Sequence, residues 1–111
     1  MYDHPIHQLI RLPCVIRHSD PGGMDEYGDH PIVIDTTTTE RCYLTQSRRA
    51  EEDEIEVERW HIYFLPTVQV DANDSVEVGG MVFEFYGNPW GVIDPVTGFP
   101  THIEATMVRR R

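Results

Sequence analysis

Long apolar runs are missing from this chain. No stretch approaches the ~20 residues that cross a bilayer as a helix. No positively charged leader precedes an apolar segment either, so the expectation is a soluble protein with no obvious secretion signal. Cysteine is scarce: Cys14 and Cys42 are the two present, too few for a disulfide framework. Both read as reduced, buried, small apolar residues. Positive charge is short as well. Nine basic residues face nineteen acidic ones, for a formal charge of -10. Such a surface repels a phosphate backbone unless its basic groups are segregated. Arg48-Arg49 and Arg109-Arg110-Arg111 are the only clusters, which argues against a general nucleic-acid binder. No segment holds a convincing amphipathic helical period.

What the chain has is strand pattern. The clearest unit runs from Val68 to Trp90, VQVDANDSVEVGGMVFEFYGNPW. Gly79-Gly80 suits a two-residue type I′ turn, which needs positive φ at both positions. Pairing outward places Val78 opposite Met81, Val76 opposite Phe83, and Asp74 near Phe85. Side chains alternate across a strand. Val76, Val78, Met81, Phe83 and Phe85 therefore share an apolar face, with Glu77 and Glu84 on the other and Val82 out of pattern.

Elsewhere, Leu12 to Arg17 suits a first strand and His18 to Asp29 (HSDPGGMDEYGD) a loop. Ile32 to Thr39 and Arg41 to Thr45 read as two further strands, being rich in β-branched or aromatic residues. Gln46 to Glu58 is polar and dense in carboxylates. Glu51, Glu52, Asp53 and Glu54 would repel one another along a helix, so 46–56 is read as a mobile, solvated loop. Val57 to Leu65 alternates well, with Trp60, Ile62 and Phe64 on one face and Arg59, His61 and Tyr63 on the other. Asn88 to Thr101 reads as a long loop, and Ile103, Ala105 and Met107 mark a final strand. At 111 residues this is one domain, burying roughly 65% of its unfolded surface. The expected fold is all-β: a small antiparallel barrel of six to seven short strands over 12–111, with one long polar loop and an extended N-terminal arm over 1–11.

Catalytic chemistry finds no footing. Six histidines are scattered, and His4 and His7 straddle Pro5 with no third ligand at a metal-binding spacing. The acidic run lacks the alternating ligands and central glycine of a calcium loop. Ser19, Ser47 and Ser75 have no nucleophile elbow, and neither glycine pair opens a helix to cradle phosphate. The expectation is a non-enzyme with no metal and no cofactor.

The order of motifs goes further. An early LPCVIR strand is followed by PGGMDEYGD, then by a strand entering CYLTQSRRAEE. After these come the aromatic WHIYFLP, the DSVEVGGMVFEFYGNPW hairpin and the DPVTGFPTHIEATMVRR segment. This succession resembles the head-to-tail stopper (head-completion, head-closure) proteins of long-tailed bacteriophages, with Met1 to Gln8 outside the match. The resemblance implies a β-barrel protomer of a homo-oligomeric ring at the head-tail junction of a virion, assembled in the host cytoplasm. The ring would be roughly twelve-fold like a portal, or six-fold.

Such a ring closes the DNA-filled head beneath the portal/adaptor and docks the tail terminator or tail tube, with no membrane involved. Its channel-facing loop would correspond to Arg48, Arg49, Glu51, Glu52, Asp53 and Glu54. An acidic lining there lets DNA pass without sequence-specific binding. Tyr2 and Ile6 of the arm, the aromatics Trp90 and Phe99, and the terminal Arg109 and Arg110 are the expected contacts with neighbouring subunits or rings. The alternatives are another connector ring (adaptor or tail terminator), or a small cellular β-barrel that binds a peptide or ligand.

Overall fold

A computed structural model describes the backbone of residues 5–24, 31–46, 50–52 and 55–110, and the side chains of 5–18, 36–46 and 58–109. A short 3-10 turn, Pro5–Gln8, leads into eight strands. These are β1 (Leu12–Met24), β2 (Pro31–Gln46), β3 (Ala50–Glu52), β4 (Ile55–Phe64), β5 (Ser75–Val78), β6 (Met81–Phe85), β7 (Trp90–Ile93) and β8 (Pro100–Arg110). All pair antiparallel, in the order β3-β4-β2-β1-β5-β6-β8-β7, and β4 also pairs β8. That last pairing closes β4, β2, β1, β5, β6 and β8 into a six-strand barrel, with β3 and β7 attached outside it. Closure removes most of the exposed edges of so small a sheet. Among the described residues, no helix is long and apolar enough to cross a membrane.

The barrel is filled by alternate residues of each strand. Cys14 and Ile16 of β1, Cys42 of β2, Ile62 and Phe64 of β4, Val76 and Val78 of β5, Phe83 of β6, and Ala105 and Met107 of β8 form one buried cluster. Met81 and Phe85 pack against it half-buried, while Glu77, Val82 and Glu84 face solvent. Trp60 meets the Phe83 ring edge-on at 5.5 Å between centroids, an arrangement favoured by the ring quadrupoles. The β5–β6 hairpin has the expected register, Val76 opposite Phe83 and Val78 opposite Met81. Its turn has the expected backbone, with φ of 56° at Gly79 and 83° at Gly80.

Four boundaries differ from the sequence expectation, each because pairing carries strand geometry through residues that look like breakers. β1 does not stop at Arg17. It continues to Met24 because Asp20 and Pro21 pair with Ile34 and Val33 across a two-stranded ribbon. The predicted break between Thr39 and Arg41 does not occur: Glu40 pairs with Cys14, and β2 is one strand.

The segment 46–56 is not a loop throughout. β4 is held extended by β8 as far as the Val57–Arg110 pair, and the preceding residues fold back on it, with Ala50 opposite Val57 and Glu51 opposite Glu56. Nor is 88–101 a structureless loop. β7 pairs with the start of β8, Trp90 opposite Glu104 and Val92 opposite His102. The turn between them is closed by Asp94, whose Oδ1 accepts from the Val96 and Thr97 N–H groups at 2.8 and 3.4 Å. The fold is the small all-β antiparallel barrel expected from the sequence; among the described residues it holds eight strands, four of them ten residues or longer.

Candidate functional site

Three features project from the barrel: the β1–β2 ribbon, the β3–β4 hairpin, and the β7–β8 hairpin. Of the candidate channel residues, the second holds two. Glu51 and Glu52 lie in β3, while Arg48, Arg49, Asp53 and Glu54 fall outside the described residues. The run's last carboxylate, Glu58, is not solvated: it is 5% exposed. Its Oε2 accepts from Trp60 Nε1–H at 3.4 Å and lies 3.9 Å from Arg109 Nη1. Arg109 therefore has an intramolecular partner as well as any role at an interface. Arg110 ends β8 with its side chain outside the described set, and Tyr2 also lies outside it.

The β7–β8 hairpin carries the largest apolar exposure. Trp90, Ile93, Val96 and Phe99 are 45%, 60%, 90% and 56% exposed. Trp90 and Phe99 are thus both partly exposed on this hairpin. Tyr86 nearby is covered by the Arg59 guanidinium, 4.9 Å over its ring, a cation–π contact. Tyr63 is half-buried and leans on Tyr43 and His102.

Two polar clusters, neither anticipated from the sequence, tie these projections to the barrel. At the root of the ribbon, His18 Nδ1–H donates to Asp74 Oδ2 at 3.0 Å, and Nε2 contacts Thr38 Oγ1 at 2.9 Å. Asp74 is 4% exposed and also accepts from the Asp71 N–H at 3.0 Å. A carboxylate facing Nδ1 favours the tautomer with its proton there, and in that tautomer Nε2 accepts a hydrogen bond from the Thr38 hydroxyl. The order carboxylate–imidazole–hydroxyl is that of an activated nucleophile, but Thr38 lies on an exposed strand face. Here the cluster works as a clamp between β1, β2 and the turn before β5. The sequence signal was an Asx turn, DAND; the partner His18 lies 56 positions away.

The second cluster runs along the start of β8. Thr101 Oγ1 donates to the Val92 carbonyl at 3.1 Å and contacts His102 Nδ1 at 2.8 Å, while His102 Nε2 meets Glu104 Oε1 at 2.8 Å. The Thr101 carbonyl accepts from His7 Nε2–H at 2.6 Å. That bond ties down the Pro5–Gln8 turn, whose Ile6 is half-buried, and Ile10 just beyond it is 3% exposed. The described part of the expected arm, from Pro5 onward, is therefore held against β8.

Cys14 and Cys42 are both buried and free. The register sets Leu12 opposite Cys42 and Cys14 opposite Glu40, so the two are diagonal neighbours on one face. The hydrogen bond to Cys14 and burial push the Cys42 thiol well above its ordinary range. Receiving that bond pulls Cys14 down, against its own burial. Among the described residues, no group of three or more His, Cys, Asp or Glu side chains is placed to hold a metal ion.

No family model and no curated protein matches this sequence. Among solved structures, the chain is similar to the phage-like element PBSX protein xkdH from Bacillus subtilis. The TM-score is 0.54 at 18% identity, over 88% of this chain and 92% of that one. The two share a fold along nearly their whole lengths.

Proposed function

We propose that the chain is a structural protein of a phage or phage-like particle. More specifically, it serves as the stopper ring that closes the DNA-filled head beneath the portal/adaptor and presents the docking surface for the tail. The observation that carries this reading is the likeness, from end to end, to a protein of a phage-like element. It agrees with the order of motifs in the sequence.

In this reading the protein is non-catalytic, and the His18 and His102 clusters are structural. The segment around β3 faces the channel. There Arg48, Arg49, Glu51, Glu52, Asp53 and Glu54 set a net negative lining that phosphate does not adhere to. Trp90 and Phe99 meet a neighbouring subunit or ring.

The test is a particle lacking this polypeptide. Full heads that leak DNA and carry no tails are expected, with both defects repaired by adding the protein back. Normal tailed particles, or particles in which the protein is found only away from the head-tail vertex, would refute the stopper role. Replacing Glu51, Glu52, Asp53 and Glu54 together by lysine should then slow or block DNA exit without preventing tail attachment.

A further inference from the structure

The pairing of β7 with β8 breaks at one residue. Val92 stands opposite His102 and Ile93 opposite Pro100, so Thr101 is the extra residue of a β-bulge. Neighbours on a regular strand point to opposite sides, but a bulge re-aims them. Here Thr101 and His102 come into contact, Oγ1 to Nδ1 at 2.8 Å. The same hydroxyl reaches the Val92 carbonyl at 3.1 Å. On the far side of the ring, His102 Nε2 meets Glu104 Oε1 at 2.8 Å. Thr101 and His102 are both buried, so little water competes for these bonds.

The proton count restricts what this cluster can do. A threonine hydroxyl has one proton to donate and can accept as well, while a carboxylate only accepts. Glu104 therefore favours a ring proton on Nε2. The state of Nδ1 then decides where the Thr101 proton goes. With His102 charged, Nδ1–H donates to Oγ1 and the hydroxyl donates to Val92, so each group has a partner of the right kind. With His102 neutral, Nδ1 is a bare acceptor beside Oγ1. The hydroxyl must turn to it, or two acceptors are left facing each other in a buried site. Turning to it takes the bond away from Val92.

We infer that Thr101 is a proton-driven latch: protonation of His102 turns the Thr101 hydroxyl onto the Val92 carbonyl and fastens β7 to β8, and deprotonation withdraws it. The latch holds the hairpin that carries the exposed Trp90, Ile93, Val96 and Phe99. Acid tightens that hairpin and alkali loosens it. Besides Glu104 on β8, the titratable side chains around the ring are Tyr63 of β4, with ring centroids 5.7 Å apart, and His7 of the Pro5–Gln8 turn. His61 lies further along β4, opposite Thr106. His7 donates through Nε2–H to the Thr101 carbonyl at 2.6 Å, a bond it can make neutral or charged, so it leaves the hydroxyl alone. β7, Trp90-Gly91-Val92-Ile93, contributes no titratable group.

The test is solution NMR of the isotope-labelled full chain, stepped from about pH 8 to about pH 5, where histidine side chains titrate. The His102 ring shifts should report protons on both nitrogens at the acid end and on Nε2 alone at the alkaline end. The Val92 carbonyl carbon should shift with the same midpoint. Amide exchange in β7, corrected for its intrinsic pH dependence, should be about 2- to 10-fold slower at the acid end, the effect of one hydrogen bond. Thr101→Val removes the hydroxyl and should abolish the Val92 and exchange steps while His102 still titrates. Thr101→Ser should restore both steps, and His102→Gln should lack them.

A neutral ring with its proton on Nδ1 overturns the latch, as does a ring that keeps one charge state across the range. So do steps at Val92 that persist in Thr101→Val. Should that variant fail to fold, the wild-type shifts decide alone: a Val92 carbonyl that does not follow His102 ends the proposal. None of these readouts involves a particle, so the latch and the stopper role fail separately.

Discussion

The Asp74 carboxylate accepts a 3.0 Å hydrogen bond from His18, across 56 positions of sequence. It is the link that fastens the root of the β1–β2 ribbon to the turn before β5. Asp74 is buried, so its oxygens rely on the few donors that reach them in place of water.

Removing His18 should therefore be costly in proportion to what it strands. His18→Ala leaves a buried carboxylate short of a donor and is expected to lower stability by about 1–3 kcal/mol. Asp74→Asn keeps an acceptor for Nδ1–H and should lose less. Asp74→Ala deprives both His18 and the Asp71 N–H and should lose most. Urea midpoints at constant m-value rank the three variants, and an unchanged midpoint for His18→Ala would remove the clamp from the account.

The glycines offer a contrast that separates backbone strain from crowding. A Cβ on Gly79, Gly80 or Gly91 would meet nothing within 4 Å, but only the first two have positive φ. Gly79→Ala and Gly80→Ala should each cost about 1 kcal/mol, whereas Gly91→Ala should be neutral or stabilising by about 0.4–1 kcal/mol. Thermal unfolding of the three variants checks the sign.

Neighbouring residues on β6 should respond oppositely. Phe83 is fully buried and Val82 is 56% exposed. Phe83→Ala should cost about 3–5 kcal/mol, a large share of a small domain's stability. Val82→Thr should stay within about 0.5 kcal/mol. Equal effects would mean that the hairpin does not present alternate residues to the core.

The thiol pair gives the protein an alkaline limit. Cys42 is held above its ordinary thiol value of 9.0 by its bond to Cys14 and by burial. A group raised on folding adds stability that is fully present below the unfolded value and lost as pH climbs above it. From about pH 9 upward, stability should fall by at most ~1.4 kcal/mol per pH unit from this group. The lowered Cys14 offsets part of that fall. Cys42→Ala, measured against its own neutral-pH stability, should show a shallower alkaline decline.

The hairpin was legible because local signals suffice there. Two glycines specify the turn, and alternation on either side specifies the buried face. Ile62, Phe64, Ala105 and Met107 were legible for the same reason. What escaped was anything decided by a distant partner. Asp20, Pro21 and Glu40 look like breakers until Ile34, Val33 and Cys14 are placed opposite them.

Glu58 looked like one more solvated carboxylate until Trp60 and Arg109 converged on it. The His18 cluster had only the DAND turn to mark it, and the His102 cluster is completed by Val92 and His7 from other stretches. Of the proposed contact surface, Trp90 and Phe99 were visible as aromatics near turn residues.

β2 runs unbroken for 16 residues, Pro31–Gln46, and serves two regions at once. One half borders the ribbon, and the other places Cys42 in the core. A strand presents alternate residues to opposite sides. An odd-length insertion or deletion in the run Thr36–Thr39 would therefore turn one half over relative to the other, expelling Cys42 or inverting the ribbon. Only changes in steps of two keep both in place, so this plain stretch of threonines should tolerate substitution far more readily than any change of length.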